Sequence, residues 1–206
     1  MRNLVFLLFL LAACSVTRFS PKWTNERAPE VFYVEFETSK GRFEAEITRN
    51  LSPLAVDRFY QLVKHQFFQH AVFYRVVPDF VAQFGISDTT VMKNWMEIKV
   101  PDEKVVGSNT RGTISFARGE KDSRGTDLFV NLADNLYLDT ILFSDVKGFP
   151  PIGKVTLGME TVEALYGGYA NSTMDKLDTF YRNRGEFMKT YPQLDSIIDV
   201  RITRIK

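Results

Sequence analysis

Residues 73–85 read Phe73-Tyr74-Arg75-Val76-Val77-Pro78-Asp79-Phe80-Val81-Ala82-Gln83-Phe84-Gly85. Strands are expected over residues 73–77 and 81–85. Side chains alternate across a strand, which puts Arg75 on the face of Phe73 and Val77. A permanently charged guanidinium among apolar neighbours is costly to desolvate. Two readings account for it: an arginine that reaches the rim and pairs with an acid, or one kept for chemistry.

Upstream, Phe32, Val34 and Phe36 alternate with Tyr33, Glu35 and Glu37. After Ser39-Lys40-Gly41, Phe43, Ala45 and Ile47 alternate with Arg42, Glu44, Glu46 and Thr48. That pattern is a hairpin with one buried face. Ser52-Pro53 reads as a helix start, serine as N-cap and proline in the first turn. Val56, Phe59, Tyr60 and Val63 then form an amphipathic stripe. Downstream, strands are expected at 112–117, 128–132 and 152–157, with a loop-rich stretch over 133–151. A short helix at 159–166 is closed by Gly167-Gly168. Residues 172–194 predict a further surface helix. Ile198, Val200 and Ile202 alternate with Asp199, Arg201 and Thr203 in a last strand. Many short strands and two clear helices predict a mainly β fold, a closed barrel whose last strand pairs near the first.

Lys and Arg total 26 against 25 acids. Such balance gives no electrostatic footprint for nucleic acid. There are two histidines, His65 and His70, and one cysteine, Cys14, so no zinc site is expected. Neither a Gly-x-Ser-x-Gly elbow nor a phosphate loop nor a dinucleotide fingerprint occurs. No metal and no cofactor are expected. His65, His70 and the acidic pair Asp102-Glu103 read as solvated groups. Asn171-Ser172-Thr173 matches a glycosylation sequon.

The N-terminus bears on where the chain is expected to work. Met1-Arg2-Asn3 precedes an apolar run from Leu4 to Ala13, then Cys14. Ten residues are too few for a bilayer-spanning helix, which takes about 20. Leu11-Ala12-Ala13-Cys14 resembles the bacterial lipobox, where the cysteine becomes the mature N-terminus and carries lipid. A lone cysteine has no disulfide partner. Residues 1–13 are therefore read as a lipoprotein signal peptide and 14–30 as a lipidated tether. The domain is read as 31–206, with a helical extension over 172–195 before the last strand. Removing residues 1–13 takes away Arg2 and no acid, leaving a neutral balance. The expected place is the periplasmic side of a bacterial cell envelope. Ser15, standing where aspartate marks inner-membrane retention in some bacteria, points to the outer membrane.

Further blocks stand with the opening segment: Gly112-Thr113-Ile114-Ser115-Phe116-Ala117-Arg118-Gly119, then Ser123-Arg124-Gly125-Thr126-Asp127-Leu128-Phe129-Val130-Asn131, Leu138-Asp139, and Gly148-Phe149-Pro150-Pro151-Ile152-Gly153-Lys154-Val155. Together, over 31–169, they resemble the cyclophilin family of peptidyl-prolyl cis-trans isomerases. The block from Gly148, the block Gly158-Met159-Glu160-Thr161-Val162-Glu163 and the later Tyr191-Pro192-Gln193-Leu194-Asp195 are similar to bacterial exported and lipoprotein members. The resemblance implies a closed eight-stranded antiparallel barrel capped by two helices, with its active groove on the outer surface. Arg75 matches the catalytic arginine. Phe80 and Val81 match pocket residues, the second more commonly methionine. Gln83 matches the glutamine that orients the site. Ala117 and Gly119 match the backbone rim, with Arg118 between them where asparagine is common. Phe129 matches the floor of the proline pocket and Leu138 its wall. Tyr137 stands where many members have tryptophan. The Phe149 region fills the place of an absent histidine.

Asp127 stands where the family usually has a second glutamine. Alternation puts it on the face of Phe129, so it is expected to point into the groove and pair with Arg75 or Arg118. The implied function is isomerisation of prolyl bonds in exported proteins by a monomer held to the membrane through Cys14. The alternative is a weakly active or inactive proline-peptide-binding module of the same fold.

Overall fold

A computed structural model of the protein describes residues 19–87 and 89–206. The lipobox, the signal peptide and Cys14 lie outside the described residues.

Eight antiparallel strands form one sheet: β1 (Val31–Thr38), β2 (Gly41–Thr48), β3 (Arg75–Val77), β4 (Val81–Phe84), β5 (Thr113–Phe116), β6 (Leu128–Asn131), β9 (Pro151–Leu157) and β10 (Ile197–Ile205), in the order β10-β1-β2-β9-β5-β6-β4-β3. β7 (Leu142–Phe143) and β8 (Val146–Lys147) make a separate small hairpin inside the stretch expected to be loop. The last strand lies beside the first, Phe36 opposite Val200.

The closure expected from the sequence is corrected. The sheet is an open half-barrel with β10 and β3 as its edges. The chain just before β3 meets the start of β10 through a bridge between Val72 and Ser196, a bond from the Phe73 amide to the Asp195 carbonyl at 2.9 Å, and bonds from the Ile197 amide to Ala71 and from the His70 amide to Ile197 at 2.7 and 3.0 Å. β3 is three residues long and stops at Pro78, which has no N–H to continue a ladder.

The interior follows from period two. The ladders place Val76 opposite Ala82, Ala82 opposite Val130 and Val130 opposite Ile114, and all four side chains are buried. From the other half come Phe32, Val34, Phe36, Phe43, Ala45 and Ile47, the hairpin's predicted inner face. Helix α1 (Pro53–Lys64) presses Ala55, Val56, Phe59, Leu62 and Val63 into this core. Each large side chain so buried contributes about 1.5–3 kcal/mol.

Ser52 does not cap α1 with its side chain. Glu103, far along the chain, does: its carboxylate accepts from the Leu54 and Ala55 amides at 2.9 and 3.2 Å. It also takes the buried Arg124 guanidinium at 3.0 Å, while Asp102 lies 3.7 Å from Arg118. The acidic pair is thus internal, not solvated, because an orphaned helix N-terminus and two buried arginines need its charge.

Five α-helices occur among the described residues, where two clear ones and a further one over 172–194 were expected. α2 (Thr89–Met96) was not foreseen; its sequence carries threonine and valine, weak helix formers, and Trp95 and Met92 are buried from it. α3 spans Met159–Glu163. In the C-terminal segment, α4 (Leu177–Arg182) and α5 (Arg184–Thr190) are joined at Asn183, whose Oδ1 caps α5 by accepting from the Glu186 amide at 3.1 Å. This segment is not a surface layer: Phe180 and Phe187 are fully buried, their rings 4.8 Å apart.

Residues 19–30, expected as tether, are docked. A 3-10 turn at Pro21–Asn25 lays Trp23 flat on His65, ring centres 3.9 Å apart, with Phe19 edge-on to Trp95 at 5.1 Å. His65 also meets Glu26 at 3.1 Å, so it is packed and paired rather than solvated. His70 is exposed. No described helix is long and apolar enough to cross a membrane.

Candidate active site

The outer face of the sheet carries a row complementary to the interior one. Arg75 of β3 stands opposite Gln83 of β4, and Gln83 stands opposite Phe129 of β6. Alternation turns all three away from the core. Arg75 is half-buried there, and its partners are neutral: Nε donates to Asn171 Oδ1 at 2.8 Å and Nη1 to Gln83 Oε1 at 3.1 Å. Its guanidinium carbon lies 5.3 Å from the centre of the Phe80 ring. The rim reading, an arginine paired with an acid, is not what the structure shows. Burial pulls the Arg75 pKa below the ordinary value, with Tyr74 and Tyr137 opposing; the group remains a cation at neutral pH.

Beside it lies a small apolar cluster separate from the main core. Val81, Phe129 and Leu138 are buried in it, with Phe80, Ala117 and Phe149 packed around them. Phe129 and Phe149 meet edge-on at 6.0 Å. Arg118 stands over the Phe149 ring at 4.1 Å and donates to the carbonyls of Gly148 and Val146 at 2.7 and 3.0 Å. It therefore braces the wall that β8 leads into. These groups enclose a hollow of about 310 Å³, lined by Arg75, Phe80, Val81, Gln83, Ala117, Arg118, Phe129, Leu138 and Phe149, together with Phe143 and Met174. The site is a greasy socket with Arg75 fixed at its edge and Arg118 held in its wall.

Three residues named from the sequence stand outside this hollow. Tyr137 is 53% exposed and stacks on Phe80 from the rim, ring centres 6.3 Å apart. Gly119 and Asp127 line a second hollow of about 450 Å³ next door. The pairing expected for Asp127 is corrected. Arg75 donates to Asn171 and Gln83 and Arg118 to two carbonyls, and neither forms an ion pair with the acid. Asp127 instead accepts a long hydrogen bond from the Tyr74 hydroxyl, 3.5 Å from Oδ1. Burial drives the Asp127 carboxyl up to about 7, against the pull of that hydrogen bond and of Lys99. Burial and the neighbouring acid hold Tyr74 well above the ordinary phenol range.

Asn171, Phe143 and Met174 were missed. Asn171 showed only as part of a sequon, and no spacing rule connects it with a strand 96 residues earlier. Phe143 lay in a stretch read as loop, and Met174 in a segment read as surface.

Comparison with known proteins agrees with this architecture. The family model described as "Cyclophilin type peptidyl-prolyl cis-trans isomerase/CLD" matches residues 33–182. A peptidyl-prolyl cis-trans isomerase of Acinetobacter baylyi is 33% identical over 134 residues, 64% of this chain and 70% of that protein. Peptidyl-prolyl cis-trans isomerase A of Dickeya dadantii is 33% identical over 158 residues, 76% of this chain and 80% of that one. Among solved structures, a Cryptosporidium parvum cyclophilin type peptidyl-prolyl cis-trans isomerase superposes with TM-score 0.61 at 17% identity, covering 85% of this chain and 99% of its own. A second structure of it, in the presence of the dipeptide Ala-Pro, gives TM-score 0.60 at 17% identity over 84% of this chain and 99% of the other. At that identity the likeness speaks for the fold.

Proposed function

The chain belongs to the cyclophilin-type peptidyl-prolyl cis-trans isomerases, and from that membership we propose that Arg75 carries the reaction over a proline socket made by Phe80, Val81, Phe129 and Leu138. The barrier to rotation about an X–Pro bond is roughly 20 kcal/mol because the amide is conjugated. No covalent bond is made and no proton must move. The enzyme need only bind the twisted amide better than either planar form. When the bond is half-turned, the imide nitrogen recovers a lone pair and accepts a hydrogen bond. A guanidinium beside it can donate, and arginine suits the task because it stays charged and is rigid.

One observation carries this reading. Two of the three Arg75 nitrogens are fixed by Asn171 and Gln83, which leaves Nη2 without a protein acceptor among the described residues. The donor is held still at the lip of an apolar hollow, so little reorganisation is needed when the amide twists. The apolar socket grips the ring while the carbonyl side turns. Ala117 lies at the junction of the two hollows, where a substrate chain would run. The second reading, a binding module with little catalysis, rested on Asp127 drawing Arg75 away, and the acid contacts Tyr74 instead.

The test is a proline-tetrapeptide isomerisation assay on the purified chain. Arg75→Ala should lower kcat/KM by roughly 10²–10³-fold, as loss of one preorganised donor does elsewhere. Peptide affinity should change little. Equal loss of turnover and affinity would contradict the assignment.

The clients and the place are part of the same proposal. The lipobox-like Leu11-Ala12-Ala13-Cys14 supports a lipid on Cys14, and with it a monomeric foldase on the periplasmic face of the outer membrane, acting on proline-containing segments of exported proteins. Fatty-acid labelling that persists in a Cys14→Ala variant would refute the anchor.

A further inference from the structure

We infer that the second hollow is a specificity subsite that takes a side chain with an apolar stem and a cationic head, lysine above all, from a residue flanking the proline, with Asp127 as its counter-ion. The inference rests on the isomerase reading and names which substrates that site prefers.

The first argument is continuity. The two hollows share Gln83, Ala117, Arg118 and Met174. A peptide with its proline in the socket therefore has a neighbouring side chain within reach of the second hollow. The second argument is unspent bonding capacity. A carboxylate accepts about four hydrogen bonds, yet among the described residues the Asp127 side chain has only the long contact from Tyr74, while Arg75 and Arg118 donate to other acceptors. The third is the shape of the walls. Met96, Met174 and Leu177 offer flexible apolar surface for an alkyl stem above an acidic floor.

Charge decides between a cation and a neutral donor. The ionisable groups around Asp127 come from every element beside it: Tyr74 before β3, Lys99 after α2, Arg118 and Glu120 after β5, and Tyr181 on α4, with Asp178 acting on Tyr181. Arg118 donates to two carbonyls, and its charge is partly offset by Asp102, 3.7 Å from its Nε. Lys99 lies at the rim, its Nζ 4.0 Å from Met96 Sδ, so an ammonium is tolerated there without being bonded to the acid. Because the Asp127 carboxyl titrates at about 7, an entering ammonium displaces its proton. Preference for lysine must then strengthen as pH rises through neutrality.

The experiment scans lysine, norleucine and glutamate at each position flanking the proline in a tetrapeptide. It reads the lysine-to-norleucine ratio of kcat/KM on the full chain. At one position the ratio should reach about tenfold near pH 8, the order expected of one charge-assisted hydrogen bond. It should fall toward one near pH 5.5, where lysine is still charged but Asp127 is not, and glutamate should be the poorest substrate near pH 8. In Asp127→Asn the ratio should stay near one at both pH values, whatever the absolute rates. Norleucine equalling lysine at every position in the natural chain would overturn the inference, as would a ratio that survives Asp127→Asn. Turnover of the norleucine-flanked peptides in the same series would then show the isomerase reading intact. Should the variant fail to fold, the pH dependence of the ratio in the natural chain decides alone.

Discussion

Replacing Asp127 with asparagine should make the protein more stable, and more so as pH rises. The carboxyl moves from an ordinary 3.8 to about 7 on folding, because burial outweighs the hydrogen bond from Tyr74 and the charge of Lys99. Below about pH 4 the acid is protonated in both folded and unfolded chains and costs nothing. Between about 4 and 7 the unfolded chain ionises first, so stability is progressively lost; above 7 the loss is complete. At 1.36 kcal/mol per tenfold change in proton affinity, the full loss corresponds to about 4 kcal/mol. About 2.5 kcal/mol of it develops between pH 5 and pH 8. Asp127 keeps a partly open surface toward the second hollow, and water there lowers the expected figure to about 2 kcal/mol. Urea unfolding followed by the fluorescence of Trp23 and Trp95 gives the stability of both proteins at each pH. The gap between Asp127→Asn and the natural chain should widen by about that amount from pH 5 to pH 8. A gap that is constant or narrows would mean that the carboxyl ionises normally, and the reasoning would fail.

Two other perturbations read different parts of the molecule. Asn171→Ala releases Arg75 Nε from its 2.8 Å acceptor; about a tenfold fall in kcat with little change in KM is expected, and Asn171→Asp, which restores an acceptor, should recover part of it. Unchanged kcat in Asn171→Ala would mean that Gln83 alone positions the guanidinium. Gly85→Ala should destabilise by about 3 kcal/mol or more, measured by thermal unfolding. Gly85 has φ of +126°, and a Cβ there would come within 2.2 Å of the Thr126 carbonyl oxygen. A near-neutral result would show that β4 and the start of β6 can move apart.

Residues 73–85 disclosed much of the site because its logic is local. Period-two alternation put Val76 and Ala82 inside and Arg75 and Gln83 outside, and register then brought in Phe129. The hairpin of β1 and β2 was legible for the same reason. What escaped depends on contacts between distant parts of the chain. Glu103 caps a helix that begins 50 residues earlier, so its loop position looked like solvent. His65 looked free because Trp23, its stacking partner, lay in a segment too polar to suggest docking. Asn171 is an acceptor whose donor is 96 residues away. The helix at Thr89–Met96 is stabilised by burying Trp95 and Met92, a tertiary gain that propensity cannot register. Barrel closure failed for a related reason. Strand patterns reveal which segments pair, but not whether the outermost two come close enough over enough residues to seal.

Packing of the chain from Phe19 onward sets the length of the leash. If Cys14 is lipidated, five peptide steps separate the acylated end from Phe19, whose ring rests on Trp95. At no more than about 3.6 Å per residue, the body is held within about 18 Å of the headgroups. So tethered, it would not roam the periplasm for clients; it would work flush with the bilayer, on polypeptides that emerge from it or graze its surface.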